Sequence, residues 1–276
     1  MNLIVQGTAL ADADLHRIAR LAGTQQIERL GSHAARLLGA QQDPAIAGYC
    51  ADAGLDFGFV PGGRRLDHMR LLAIDMDSTL ITIECIDEVA DLAGVKAEVA
   101  AITAAAMAGE LDYAQSLRRR VGLLQGLEET ALARVYAERL RLSPGAETLL
   151  AAVRSAGMKT LLVSGGFSYF TERLKARLGL DYSASNVIEI EDGRLSGRVI
   201  GDIVDAEGKA AALRVRRDAL GIARSGVIAI GDGANALAMM AEAGVSIAYR
   251  AKPVARSKAD YALDHCGLDG VLNLFA

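Results

Sequence analysis

The chain has 276 residues, 51% hydrophobic and 23% charged, the balance of a globular protein with a sizeable core. A net charge of −4, with no long run of Lys and Arg, argues against nucleic acid as a partner, and no apolar stretch reaches the ~20 residues of a membrane span. Cys50, Cys85 and Cys266 lie far apart without metal-ligand spacing, and the opening MNLIVQGTALAD lacks the charged start of a signal peptide, so buried thiols and a cytoplasmic location are expected.

Residues 1–68 read as a small α/β unit. Leu3 to Val5 predict a short strand. Asp12 or Asp14 caps a helix carrying Leu15, Ile18, Ala19 and Leu21, with Gly23 after it. Ala45 to Gly54 reads as helix and Phe57 to Val60 as strand, and Pro61-Gly62-Gly63 followed by a polar joint ends the unit. No ligand constellation stands out here. An interaction surface, such as a homodimer contact, is the expectation, with a regulatory amino-acid site as the alternative.

Residues 69–276 follow a different rhythm. Four continuous apolar runs, Leu71–Ile74, Thr160–Val163, Val227–Ile230 and Val245–Ala248, alternate with helical patterns. Such runs predict a parallel sheet buried on both faces. The stretch 82–143 reads almost wholly as helix and is too long for one crossover, so it predicts an inserted cap. Within it, Ala97 to Ala108 predicts a tightly packed helix. Val187 to Ile200 alternates around Asp192-Gly193 and predicts a β-hairpin.

Open parallel sheets bind ligands beyond the carboxyl ends of their strands. Those ends carry Asp75-Met76-Asp77-Ser78-Thr79, Ser164-Gly165-Gly166 and Gly231-Asp232-Gly233-Ala234-Asn235, with Lys209 near the start of a helix after the hairpin. One carboxylate after a strand is ordinarily a helix cap, and a lone Lys209 is a solvated charge. Two carboxylates two residues apart are harder to dismiss, because buried like charges need a cation or a proton between them. Oxygen donors suit Mg²⁺, which takes one or two carboxylates plus phosphate and water. Asp75 and Asp232 supply the pair, and the Asp77 main-chain carbonyl a third ligand.

The strings DMDSTLITIECIDEVADLAG from Asp75, MAGELDYAQSLRRRV from Met107, SGGF from Ser164, GDIVDAEGK from Gly201 and GDGAN from Gly231 resemble those of the haloacid dehalogenase (HAD) superfamily, and within it the bacterial phosphoserine phosphatases. The resemblance spans roughly residues 70–276. It implies a HAD-like Rossmannoid α/β fold with a helical cap, and Mg²⁺-dependent hydrolysis of O-phosphoserine, the last step of serine biosynthesis. It makes Asp75 the nucleophile and Asp77 the general acid and base. Ser164, Gly165 and Lys209 hold the phosphoryl oxygens, and Asn235 also falls in the substrate set. Glu84 faces the substrate ammonium and Arg120 its carboxylate, while Met107 and Tyr113 close the pocket. Without the resemblance, Glu84 and Arg120 read as exposed helix charges and Met107 as core.

Two positions depart from the family pattern. Tyr113 stands where Phe is more frequent. Ala236 stands where the family has an Asp that supports the metal, so weaker Mg²⁺ affinity and a slower enzyme are expected. Two further readings keep the fold: a phosphatase or phosphotransferase for another small ester, and a weakened or inactive phosphoserine-binding variant.

Overall fold

A computed structural model describes residues 1–275. The chain first builds a four-stranded antiparallel sheet with two helices. In order these are β1 (Asn2–Gly7), α1 (Asp12–Leu21), β2 (Ile27–Arg29), β3 (Ala34–Leu37), α2 (Pro44–Ala53) and β4 (Leu55–Val60), with strand order β2-β3-β1-β4. Neither Asp12 nor Asp14 caps α1. The N-cap is Ala11, without a side-chain bond; Asp12 pairs with Arg29 and Asp14 accepts the Tyr49 hydroxyl. Both carboxylates thus tie α1 to its neighbours. Asp43 does cap α2, with Pro44 just inside.

The chain then enters a seven-stranded sheet. Its elements are β5 (Leu71–Asp75), α3 (Cys85–Ala93), α4 (Lys96–Met107), α5 (Tyr113–Gly122), α6 (Thr130–Arg134), α7 (Ala146–Ser155), β6 (Lys159–Phe167), α8 (Ser168–Leu178), β7 (Tyr182–Glu191), β8 (Arg194–Ile200), α9 (Ala206–Ala219), β9 (Val227–Gly231), α10 (Leu237–Ala241), β10 (Val245–Tyr249), α11 (Pro253–Arg256) and β11 (Tyr261–Leu263). The strand order is β11-β10-β9-β5-β6-β7-β8. Only the β7–β8 hairpin is antiparallel in this sheet. Its turn residues Asp192 and Gly193 have φ of 50° and 74°, as a two-residue primed turn requires.

Alternation along the buried strands sorts the core into two layers. Leu72, Ile74, Ile228 and Ile230 join α7, α8 and the cap on one face; Leu71, Ala73, Val227 and Ala229 join Leu213 of α9 and Met239 of α10 on the other. From β5 the chain builds outward through β6, β7 and β8, then crosses back to lay β9 on the other side of β5. The reversal opens a crevice beyond the ends of β5 and β9. Asp75 ends β5 and Asp232 follows β9, so topology alone brings these carboxylates to one crevice.

Helices α3 to α6 form the cap. It leaves and rejoins the body at one paired junction: Ile81 bridges Leu142, Thr82 N–H donates to Arg141 O at 3.0 Å, and Ser143 N–H to Leu80 O at 2.9 Å. Helix α4 forms as its alanines predict, but it is not tightly packed. Val99 is its one fully buried residue. Alanine carries the helix by backbone propensity and adds little apolar surface to bury.

The first sheet is braced against the second. Ile4 and Val60 belong to the core layer of the larger sheet. Asp56 of β4 is 4% exposed and accepts the N–H groups of Asp264, His265 and Cys266. Buried Gln6 accepts from Asn273 at 2.6 Å. All three cysteines are free and buried. Among the described residues no helix is long and apolar enough to cross a membrane.

Candidate active site

A cleft of about 570 Å³ lies between the cap and the carboxyl ends of β5, β6 and β9. Asp75, Asp77, Glu84, Met107, Tyr113, Arg120, Gly165, Lys209, Asp232 and Asn235 all line it. Ser164, wholly buried behind Gly165, reaches it through hydrogen bonds. Every residue singled out in the sequence therefore converges on one place.

Asp75 is almost completely buried. Its Oδ1 accepts Met76 N–H at 2.8 Å, and its Oδ2 accepts Lys209 Nζ at 2.5 Å. Lys209 reaches it because Asp205 caps α9 through Gly208 N–H, starting the helix one turn before the lysine. Asp232 is 8% exposed. Burial, then the charge of Asp75, pushes its carboxyl above the usual range.

Asp77 is held by two hydrogen bonds. Its Oδ1 accepts Cys85 N–H, at the start of α3, at 2.9 Å, and its Oδ2 accepts Ser164 Oγ at 2.9 Å. Burial raises its pKa more than any other influence; the Cys85 N–H opposes the rise, and the Asp75 charge adds to it. A carboxyl with a raised pKa near a nucleophile is suited to acid–base work. The Ser164 hydroxyl, expected on the phosphoryl group, is directed here to Asp77.

Glu84 occupies the N-cap position of α3 but caps nothing. Its carboxylate accepts Ser78 Oγ at 2.6 Å, and Ser78 holds a left-handed φ of 53°. Glu84 is solvent-accessible, yet its solvent is the cleft. Burial within the site, then the charge of Asp77, pushes its carboxyl up to about 7. Arg120 is half-buried and donates only to Ser116 O, at 3.4 Å; among the described residues no carboxylate pairs with it. Met107 is neither core nor a closed gate: it stands 76% exposed at the cleft rim. The low side-chain burial of α4 leaves it there.

Asn186 was not legible as a site residue. It is wholly buried, donates to Gly165 O at 2.8 Å and accepts Val204 N–H at 2.8 Å. A lone Asn in YSASNV carries no signal that separates it from a turn residue. Lys252, which also lines the cleft, donates its main-chain N–H to Asp232 O at 2.8 Å.

Among the described residues no three His, Cys, Asp or Glu side chains form a metal cage. The donor set nevertheless fits Mg²⁺. Asp75 and Asp232 are buried carboxylates that repel one another, and Mg²⁺ needs only one or two such groups. With the Asp77 side chain engaged by Cys85 and Ser164, a contribution from Asp77 falls to its main-chain carbonyl.

Comparison with known proteins agrees with this geometry. Residues 72–241 match the haloacid dehalogenase-like hydrolase family, and residues 3–46 match a domain family of unknown function. The phosphoserine phosphatase of Albidiferax ferrireducens is 52% identical over 223 residues, 79% of this chain and 94% of that protein. The structure of a probable phosphoserine phosphatase from Vibrio cholerae, unliganded, superposes with a TM-score of 0.88 at 38% identity, covering 99% of this chain and 85% of that one. A phospho-aspartyl intermediate analogue of phosphoserine phosphatase superposes with a TM-score of 0.70 at 37% identity, covering 75% of this chain and 99% of that one. The chain belongs to the phosphoserine phosphatases of the haloacid dehalogenase-like hydrolases.

Proposed function

We propose that the chain hydrolyses O-phosphoserine to serine and phosphate through an aspartyl-phosphate on Asp75. One observation carries the reading: among the described residues, a single cleft holds Lys209 beside Asp75, an Arg120 without a carboxylate partner, and a Glu84 without a cation. These match the phosphate, carboxylate and ammonium of the substrate.

Asp75 attacks phosphorus with its carboxylate and expels the serine oxygen, giving a mixed anhydride. Asp77 donates a proton to the departing oxygen, then accepts one from the water that opens the anhydride. Lys209 balances charge on the phosphoryl oxygens and the Gly165 N–H completes their cradle, while the Ser164 hydroxyl stays on Asp77. Arg120 binds the substrate carboxylate with two parallel N–H groups, and Glu84 binds the ammonium. Met107 and Tyr113 cover the substrate, and Asn235 contacts it from the turn after β9. Asp75, Asp232 and the Asp77 carbonyl would hold Mg²⁺, which when bound shields the nucleophile from the phosphate charge. Residues 1–68 are read as a bracing unit that fixes the 264–273 segment through Asp56 and Gln6.

Phosphate release from O-phosphoserine, measured with Mg²⁺ and with a chelator, tests the reaction. Turnover requires the cation, is abolished in Asp75→Asn, and leaves acid-labile phosphate trapped on the wild-type chain. Turnover by Asp75→Asn would exclude Asp75 as nucleophile.

A further inference from the structure

An unbroken run of hydrogen bonds joins the cap to Asp77. It begins at Tyr113 of α5, whose hydroxyl donates to the Gly165 carbonyl oxygen at 2.8 Å. That oxygen takes a second hydrogen bond, from buried Asn186 Nδ2 at 2.8 Å. With both lone pairs engaged, the planar Gly165–Gly166 peptide is held against rotation. The other edge of this peptide is the Gly166 N–H, which donates to Ser164 Oγ at 2.8 Å. The Ser164 hydroxyl in turn donates to Asp77 Oδ2 at 2.9 Å. Every donor in the run points from the cap toward Asp77, and bonds aligned in this way polarise one another.

The seat of Tyr113 depends on the glycine beneath it. A Cβ on Gly165 would lie 2.2 Å from the Tyr113 hydroxyl oxygen. Burial raises the pKa of the hydroxyl above its ordinary value, so it stays protonated and can donate. A phenylalanine ring would fill the same space but could not begin the run.

We propose that Tyr113 is a positioning residue for proton transfer: seated on the Gly165 carbonyl, its hydroxyl holds the Gly165–Gly166 peptide and, through Ser164, the Asp77 carboxyl in the attitude that serves the leaving serine oxygen. This rests on the reading of Asp77 as general acid and base. The role belongs to the hydroxyl and not to the ring, and it is exercised only when the cap is seated.

Tyr113→Phe tests it, because it removes one oxygen and keeps the ring. Two substrates are compared. O-phosphoserine expels an alkoxide that needs a proton, whereas p-nitrophenyl phosphate expels a stable phenolate that does not. The expected result is a fall in kcat on O-phosphoserine of about fivefold, the rate equivalent of one hydrogen bond. KM for O-phosphoserine stays within about twofold, and kcat/KM for the aryl ester falls less than that for O-phosphoserine. A rise in KM alone, an equal loss on both substrates, or an unchanged kcat on O-phosphoserine would each overturn the proposal. Wild-type protein that fails to release phosphate from O-phosphoserine would overturn the assigned reaction together with it; wild-type turnover with an unchanged Tyr113→Phe profile overturns the proposal alone.

Discussion

Lys209 donates to Asp75 with the two side chains only 1% and 3% exposed, so each charge is buried against the other. Removing one partner strands the other. Lys209→Met in chelator is expected to lose about 3–5 kcal/mol of stability in urea unfolding, as broken buried pairs do. The double variant Lys209→Met/Asp75→Asn should recover most of that loss, since no charge is left unpaired. A double variant no more stable than Lys209→Met would show that the pair does not govern stability.

Glu84 makes binding depend on pH. Its carboxyl is raised to about 7, so acidification through that range protonates it and removes the partner of the substrate ammonium. KM for O-phosphoserine should rise as pH falls from about 8 to about 6, while Glu84→Gln shows a higher KM that is flat over the same range. Mg²⁺ offsets the fields of Asp75 and Asp232 that help raise this group, so the cation should move the inflection to lower pH. A KM for the wild type that does not change with pH would remove Glu84 from the ammonium site.

Ala236 bears on the metal. It is wholly buried, and a side chain on Gly231 would meet its Cβ at 2.4 Å, so the methyl is tightly walled. Ala236→Asp adds a third carboxylate beside Asp75 and Asp232. Without metal the variant should melt below the wild type, because a buried charge is added without a partner. With Mg²⁺ it should gain more in Tm than the wild type and reach half-maximal activity at lower Mg²⁺. Identical metal curves for the two proteins would rule out a deficit at this position.

Asp56 is a stability residue remote from the cleft. Its carboxylate satisfies three successive N–H groups of the second unit, and Asp56→Ala leaves them without that partner. A loss of at least about 2 kcal/mol is expected in urea unfolding, with kcat on O-phosphoserine retained by the folded fraction. Loss of kcat without loss of stability would mean that the first sheet acts on the cleft directly.

Legibility followed the length and continuity of the apolar signal. Val227 to Ile230 and Leu71 to Ile74 are buried on both faces, so they read as strands and delivered Asp232 and Asp75 to the crevice. Strands β2 and β3, with three and four residues, are too short for a period to show, and both escaped the sequence reading. So did β11, which has only three residues, and the start of β7, where small and polar residues take the place of an apolar run and Arg216 stacks over Tyr182 at 3.8 Å. In the site, residue identities were legible but orientations were not. DMDST does not reveal that Asp77 turns to Cys85 and Ser164, nor does SGGF reveal that Ser164 serves Asp77. Those directions arise from contacts between segments distant in sequence. Met107 could not be placed either, because an exposed rim position on α4 carries the same apolar letter as a core one.

The single junction at Ile81 and Leu142 gives the insertion a property of its own. Everything between those residues is an excursion that begins and ends at the same point, so its length can change without altering the strand register that aligns Asp75 with Asp232. Substrate contacts in this segment can therefore change while Asp75, Lys209 and Asp232 stay where the sheet and α9 put them. A graft that exchanges the segment between these two points should change the preferred phosphate ester with Asp75 and Asp232 left in place, and should slow proton transfer wherever it removes the Cys85 N–H or the Tyr113 hydroxyl.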